Sequence, residues 1–174
     1  TTRYAAPFGA YQDNIRLFVD HALKVGARPV LFTPVSRRWF DSEGNLKREC
    51  HGDYPAAVKQ VAAEYGLPLI DANEITQQWL IGLGDEPSRK YYMWVEKGTN
   101  PKHPDGKIDN THTNVAGARQ IVNLLLPEIV KVIPELAAHV VDYDFVVAKD
   151  GSGDFFTVQE AVNASPDYCK QDET

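Results

Sequence analysis

The sequence predicts an α/β fold, in which a parallel sheet carries helices on its faces. The first observation is an alternation of amphipathic segments and short apolar runs in the order helix, strand, helix, strand, helix. The second is that a glycine follows each of the first two helices, at Gly26 and Gly66, where a left-handed residue commonly ends a helix. Both observations are typical of units that alternate a helix with a buried strand.

Each helix is predicted from apolar side chains that recur at helical spacing. Pro55 suits the first turn of the second helix, and Asn114 suits the position that caps the last one. Pro127 and Pro134 leave the end of that last helix open. The predicted helices cover residues 11–25, 54–65, 72–83 and a long segment from 114 onward, and the predicted strands cover residues 29–33 and 67–71.

Composition and charge exclude several classes of protein. The 174 residues suffice for one ordinary domain with a core, and the net charge of −6 argues against nucleic acid as a partner. No run of about 18 apolar residues is present to span a membrane. Cys50 and Cys169 lie far apart in unlike contexts, so the sequence favours neither a disulfide nor a zinc site.

The residues that carry the clearest chemistry are Asp109 and His112, on a loop that precedes the last long helix. A neutral imidazole is a good general base, and a carboxylate at its other nitrogen orients the ring and stabilises the imidazolium. In open α/β sheets, loops at the carboxyl ends of strands bind ligands. A surface loop that merely caps the helix remains the alternative on local evidence.

These residues also resemble a known family. Asp109-Asn-Thr-His112, followed by Asn114-Val-Ala-Gly-Ala118, is similar to the last block of the SGNH or GDSL hydrolases. Together with the segment from Gly26 to Arg38, with Asp53-Tyr-Pro55 and with Leu69-Ile-Asp71, it resembles the rhamnogalacturonan acetylesterase branch. The resemblance implies a three-layer α/β/α sheet, a Ser-His-Asp mechanism with His112 as general base and Asp109 as its orienting carboxylate, and no cofactor or metal.

The sequence departs from that family at the nucleophile. None of its serines, at positions 36, 42, 88, 152 and 165, lies in a Gly-Asp-Ser or G-x-S-x-G setting. The oxyanion-hole glycine and the Gly-x-Asn-Asp block are absent as well. We therefore expect a partial SGNH sheet, a fragment of a longer esterase, and little or no hydrolysis by this chain alone.

Arg37, Arg38 and Trp94 are the predicted substrate-binding residues. A guanidinium holds a carboxylate with two parallel hydrogen bonds, and an indole stacks on a sugar ring. The alternatives are ion pairs with nearby acids for the arginines and partial burial for the tryptophan.

The segment from Asp144 to Pro166 resembles the opening of a pectin methylesterase, which begins with a strand, a Gly-rich turn and a helix that cap a right-handed parallel β-helix. We accordingly predict two parts, residues 1–139 from the SGNH esterase and residues 140–174 as a linker and the start of the β-helix.

The expected function is that of a pectin-degrading fusion, which acts on pectin or rhamnogalacturonan and is secreted or periplasmic because plant cell-wall pectin lies outside cells. Two other classes stay open. One is a non-catalytic carbohydrate-binding module that uses the aromatic residues and arginines. The other is a metal-dependent hydrolase that uses His103, Asp105 and His112.

Overall fold

The computed structural model describes residues 4–140, 145–149 and 153–164. An irregular turn at Pro7–Tyr11 leads into the first helix, and two short 3-10 turns lie at Arg89–Tyr91 and Pro134–His139. The regular elements are α1 (Gln12–Lys24), β1 (Leu31–Phe32), α2 (Tyr54–Tyr65), β2 (Leu69–Ile70), α3 (Ala72–Leu83), α4 (Asp85–Ser88), α5 (Val115–Val132) and α6 (Val158–Ala164).

β1 and β2 form a small parallel sheet, as the alternation of elements predicts. Leu31 lies opposite Leu69 and Phe32 opposite Ile70. The ladder begins with the Leu31 amide, which donates to the Pro68 carbonyl at 3.0 Å. Both strands are shorter than predicted because, among the described residues, each has a partner strand on one side only. The protein is therefore a helix-rich α/β fold with a small sheet.

The core lies between the sheet and the helices that cover it. Ile70, Ala72 and Leu125 form a buried cluster that joins β2, α3 and α5. α2 buries a face against α1, where Val19 is fully enclosed. The predicted apolar stripe of α1 is only partly buried, however, because Phe18 and Val25 are exposed.

The structure shows where the last long helix, α5, ends relative to Pro127 and Pro134. The helix continues through Pro127 to Val132 before the 3-10 turn. At its other end the Asn114 side chain accepts a hydrogen bond from the Gly117 amide at 3.0 Å, which confirms the predicted cap. Gly117 packs directly against the carbonyl of Tyr91, and a Cβ at this position would overlap that oxygen.

The segment 87–108 begins with the end of α4 and the turn at Arg89–Tyr91. Asp85 and Glu86 lie in the first turn of α4, where negative charge is favourable. In the part of the chain that the structure describes, no helix combines the length and apolar character needed to cross a membrane.

The C-terminal segment is described only in part. Val147 and Phe155 form an isolated parallel bridge, and α6 follows. Residues 141–144, which belong to the predicted linker, lie outside the described residues, as does Cys169.

Candidate active site

Asp109 and His112 form the hydrogen-bonded pair that the sequence predicts. His112 Nδ1 lies 2.8 Å from Asp109 Oδ2, and the His112 side chain is 75% exposed. The other carboxylate oxygen, Oδ1, accepts the backbone amides of Thr111 and His112, each at 2.9 Å. Because Nδ1 is engaged, the ring presents Nε2 as the nitrogen that can exchange a proton with a substrate or nucleophile.

Lys107 is a further partner of the carboxylate that sequence reasoning missed. Its Nζ lies 3.1 Å from Asp109 Oδ2, the same oxygen that faces the imidazole. The backbone amide of His112 is the strongest of several hydrogen bonds that hold the pKa of Asp109 far below its ordinary value, against a smaller opposing effect of desolvation. Asp109 therefore stays ionised beside the ring.

Arg38 is buried, with 2% of its surface exposed, and is not free to hold a sugar carboxylate as predicted. Its guanidinium donates to Ser88 Oγ at 2.9 Å, to Asn110 Oδ1 at 2.7 Å and to the Asp85 backbone carbonyl at 2.6 Å, and it pairs with the Asp85 carboxylate. Burial lowers the pKa of Arg38, and the carboxylate of Asp85 opposes this effect.

Arg37 differs from its neighbour Arg38 in its exposure and in its side-chain contacts. It is exposed, and its side chain has no hydrogen-bonding or ionic partner among the described residues. The next residue donates its backbone amide to the Asn110 carbonyl at 2.9 Å, so Arg37 stands within one residue of the Asp109–His112 loop. Its predicted role as a substrate contact stays a prediction.

Trp94 lies in the wall of a groove of about 520 Å³ that also includes Arg89, Lys90, Lys107 and Ile108. The guanidinium carbons of Arg89 and Arg38 lie 4.3 Å and 5.0 Å from the centre of its ring. The indole Nε1 donates to Asn110 Oδ1 at 2.8 Å. The tryptophan thus lines the groove and also contacts two guanidinium groups, and its predicted role as a substrate contact stays a prediction.

Among the described serines, two of those weighed as nucleophiles are engaged elsewhere. Ser36 is buried and donates to the Arg37 carbonyl at 3.2 Å, and Ser88 binds Arg38 and the Asp85 carbonyl. In the described ranges no serine or cysteine is hydrogen-bonded to the His112 ring.

The metal alternative lacks a cluster of ligands. Within the described residues no three His, Cys, Asp or Glu side chains are grouped so that they could hold an ion. The structure thus does not gather His103, Asp105 and His112 into one site.

Sequence reasoning found the Asp109–His112 pair but missed its contact with Lys107 and the binding of Arg38 to Asn110 and Asp85. Lys107 stands two residues before Asp109, a spacing at which side chains on an extended segment share one face, so this contact had a local signal. Asp85 and Asn110 lie 47 and 72 residues from Arg38, and no local pattern reports such contacts.

The chain is similar to curated proteins and to a solved structure. Over 139 residues the chain is 34% identical to the rhamnogalacturonan acetylesterase RhgT of Bacillus subtilis. The alignment covers 80% of this chain and 60% of the relative. It is 32% identical over 123 residues to the probable rhamnogalacturonan acetylesterase YesY of the same organism, with 71% and 52% covered.

The crystal structure of protein YXIM from Bacillus subtilis superposes with a TM-score of 0.56 at 26% identity, over 74% of this chain and 32% of that chain. No protein-family model matches the sequence. The chain thus spans between half and two thirds of the length of the curated relatives it matches, of which one is a rhamnogalacturonan acetylesterase and the other a probable one.

Proposed function

We propose that this chain is the His-Asp-bearing part of an SGNH-type carbohydrate esterase that removes acetyl groups from rhamnogalacturonan. The observation that carries the proposal is the 2.8 Å contact between His112 Nδ1 and Asp109 Oδ2 on a ring that is largely exposed. The similarity to two rhamnogalacturonan acetylesterases supports the ester class and the polysaccharide substrate.

In the proposed reaction His112 acts as the general base and then as the general acid. Nε2 takes the proton of a serine hydroxyl, supplied by a part of the parent protein outside this sequence, as the serine oxygen attacks the acetyl carbonyl. The imidazolium, stabilised by Asp109, returns the proton to the departing sugar hydroxyl. Water then attacks the acyl-enzyme through the same base and releases acetate, which restores the serine.

The groove beside Trp94 is the proposed path of the polysaccharide. It adjoins the pair because Lys107 both lines it and contacts Asp109. Arg37, exposed next to the same loop, is the proposed contact for an acidic sugar, since a guanidinium can grip a carboxylate with two hydrogen bonds.

The second part of the proposal concerns the wider protein. Residues 1–139 would belong to the acetylesterase and residues 140–174 to the start of a pectin methylesterase β-helix, in a protein exported to where pectin lies. The resemblance of the segment from Asp144 to Pro166 to the opening of that family supports this arrangement.

Acetate release from acetylated rhamnogalacturonan tests the esterase proposal. In the longer parent protein, His112→Ala should lower kcat by several orders of magnitude, because loss of a triad member costs about 10³-fold or more. His139→Ala, a change at an exposed histidine in the turn after α5, is the matched control and should leave the rate unchanged. Retention of full activity by His112→Ala would contradict the proposal.

The chain alone should release p-nitrophenol from p-nitrophenyl acetate no faster than free imidazole does. Enzyme-like turnover by this chain that is lost in His112→Ala would instead place the nucleophile within these 174 residues. It would contradict the proposal that the serine lies outside this sequence. Retention of binding to the polysaccharide by a parent with no esterase activity would favour the binding-module alternative.

A further inference from the structure

Arg38 is a buried cation with an unusually complete set of partners. Each of its three guanidinium nitrogens donates a hydrogen bond, to Ser88, Asn110 and Asp85 respectively. A charge withdrawn from water is costly unless it is paired and hydrogen-bonded in this way. These hydrogen bonds form only when the acceptors on Ser88, Asn110 and Asp85 lie at fixed positions. They therefore restrain these residues as well as Arg38.

Asn110 is held by Arg38 at two points. The Arg38 backbone amide donates to the Asn110 carbonyl at 2.9 Å, and the guanidinium donates to its side-chain oxygen at 2.7 Å. The indole of Trp94 donates to the same oxygen at 2.8 Å. Asn110 follows Asp109 directly and precedes His112 by two residues, so the loop is tied down in its middle.

Besides Arg38, Trp94 binds the Asn110 side chain and Lys107 lies 3.1 Å from the Asp109 carboxylate. The hydrogen bonds around the Asp109 carboxylate to Thr111 and His112 are internal to the loop and turn with it. On the far side the Met93 amide donates to the His112 carbonyl at 3.0 Å, which holds the start of α5 rather than the carboxylate. Arg38, which is 2% exposed, is thus the buried charge that ties the carboxylate side of the loop to the interior, through both the backbone and the side chain of Asn110.

We infer that Arg38 is a positioning residue, which acts through Asn110 to hold Asp109 and His112 in the geometry that general-base catalysis requires. The inference deepens the proposed function and rests on it for its catalytic meaning. Lysine cannot replace Arg38 in this role, because a single ammonium does not present three donors in a planar fork. Asn110→Ala removes the side-chain acceptor and leaves the Arg38 guanidinium with Ser88 and Asp85.

The tautomer of His112 reports this positioning without any need for activity. In the chain labelled with 15N-histidine, at a pH where the ring is neutral, the 2.8 Å contact to Asp109 should keep the proton on Nδ1. The spectrum of His112→Gln assigns the ring signals. Loss of one hydrogen bond to a charged group shifts a local equilibrium about tenfold.

We expect the ratio of the Nδ1–H to the Nε2–H form of His112 to fall about tenfold in Arg38→Lys and in Asn110→Ala. Asn110→Asp keeps an acceptor at the same place and should retain the wild-type ratio. Arg48→Lys is the matched control, because the Arg48 guanidinium binds Glu74 and Gln77 and makes no contact with the loop.

A wild-type ratio in folded Arg38→Lys and Asn110→Ala would overturn the inference. Should Arg38→Lys fail to fold, Asn110→Ala decides alone, since it leaves the buried cation paired. A parent protein without esterase activity would refute the proposed function but would leave this structural result standing, so the two failures are distinguishable.

Discussion

At the scale of single residues, the Asp109 carboxylate has four contacts with donors or positive charge. Its Oδ1 accepts two backbone amides, and its Oδ2 faces both His112 and Lys107. Each of these contacts favours the ionised carboxylate, which is why its pKa lies far below the ordinary value. The same contacts tie the stability of the loop to pH.

The first prediction concerns acid stability. A carboxylate whose pKa is lower in the folded than in the unfolded state stabilises the fold above the unfolded value near ~3.9. This contribution is lost as the pH falls towards the folded value. Urea unfolding between pH 6 and pH 2.5 should therefore show a shallower acid loss of stability for Asp109→Asn than for the wild type. Parallel curves for the two proteins would contradict it.

The second prediction compares two adjacent arginines. Arg38→Met removes a buried, fully paired cation and should lower the free energy of unfolding by about 3 kcal/mol. Arg37→Met changes an exposed side chain and should have an effect within about 0.5 kcal/mol. Urea denaturation of both variants measures the difference, and equal effects would show that burial does not distinguish them.

At the scale of elements, the N-terminus of α5 places the site. Asn114 caps the helix through the Gly117 amide and also donates from its side chain to the carbonyls of Lys90 at 2.7 Å and Tyr92 at 3.2 Å. Gly117 allows the helix to approach the Tyr91 carbonyl at a distance that no larger residue permits. The start of α5 is thus fitted to the chain that leads to Trp94.

The third prediction tests this fit with two glycines inside helices. Gly117→Ala places a methyl group on the Tyr91 carbonyl and should destabilise the protein by about 1–3 kcal/mol or more. Gly82→Ala in α3 meets open space and should stabilise it by about 0.5–1 kcal/mol, because alanine is the better helix former. Urea midpoints that shift in the same direction would contradict the close approach.

The elements that the sequence predicted well are those with local signals. α2 and α3 have the predicted bounds because apolar periodicity, Pro55 and the terminal glycine act within a few residues. The Asp109–His112 contact is likewise local. The burial of Arg38 could not be predicted, because nothing in the local sequence distinguishes it from Arg37. The partners that bind its guanidinium lie 47 to 72 residues away in the chain.

At the scale of the whole molecule, apolar surface is distributed unevenly. Phe18 is 74% exposed on α1, whereas the next residue, Val19, is 1% exposed. Phe32 on β1 is also exposed, and in the described part of the chain β1 has no strand partner beyond β2. Exposed apolar side chains can contribute to association between molecules.

The fourth prediction uses that contrast. Phe18→Ser should reduce self-association, measured by sedimentation over a range of concentrations, and leave the thermal midpoint nearly unchanged. Val19→Ser should instead lower the midpoint, because it places a hydroxyl and a void in the core. Unchanged sedimentation of Phe18→Ser would show that this surface does not drive association.

The enclosure of Arg38 has a consequence for how the chain reaches its final state. Its three side-chain partners come from positions 85, 88 and 110, so that the sequence separations are 47, 50 and 72 residues. Closing such loops costs entropy before any contact repays it, which slows folding. During synthesis Arg38 is made 72 residues before Asn110, so its guanidinium stays in water until the segment that contains Asn110 has been made. We therefore expect the geometry around Asp109 and His112 to be among the last features of the fold to form.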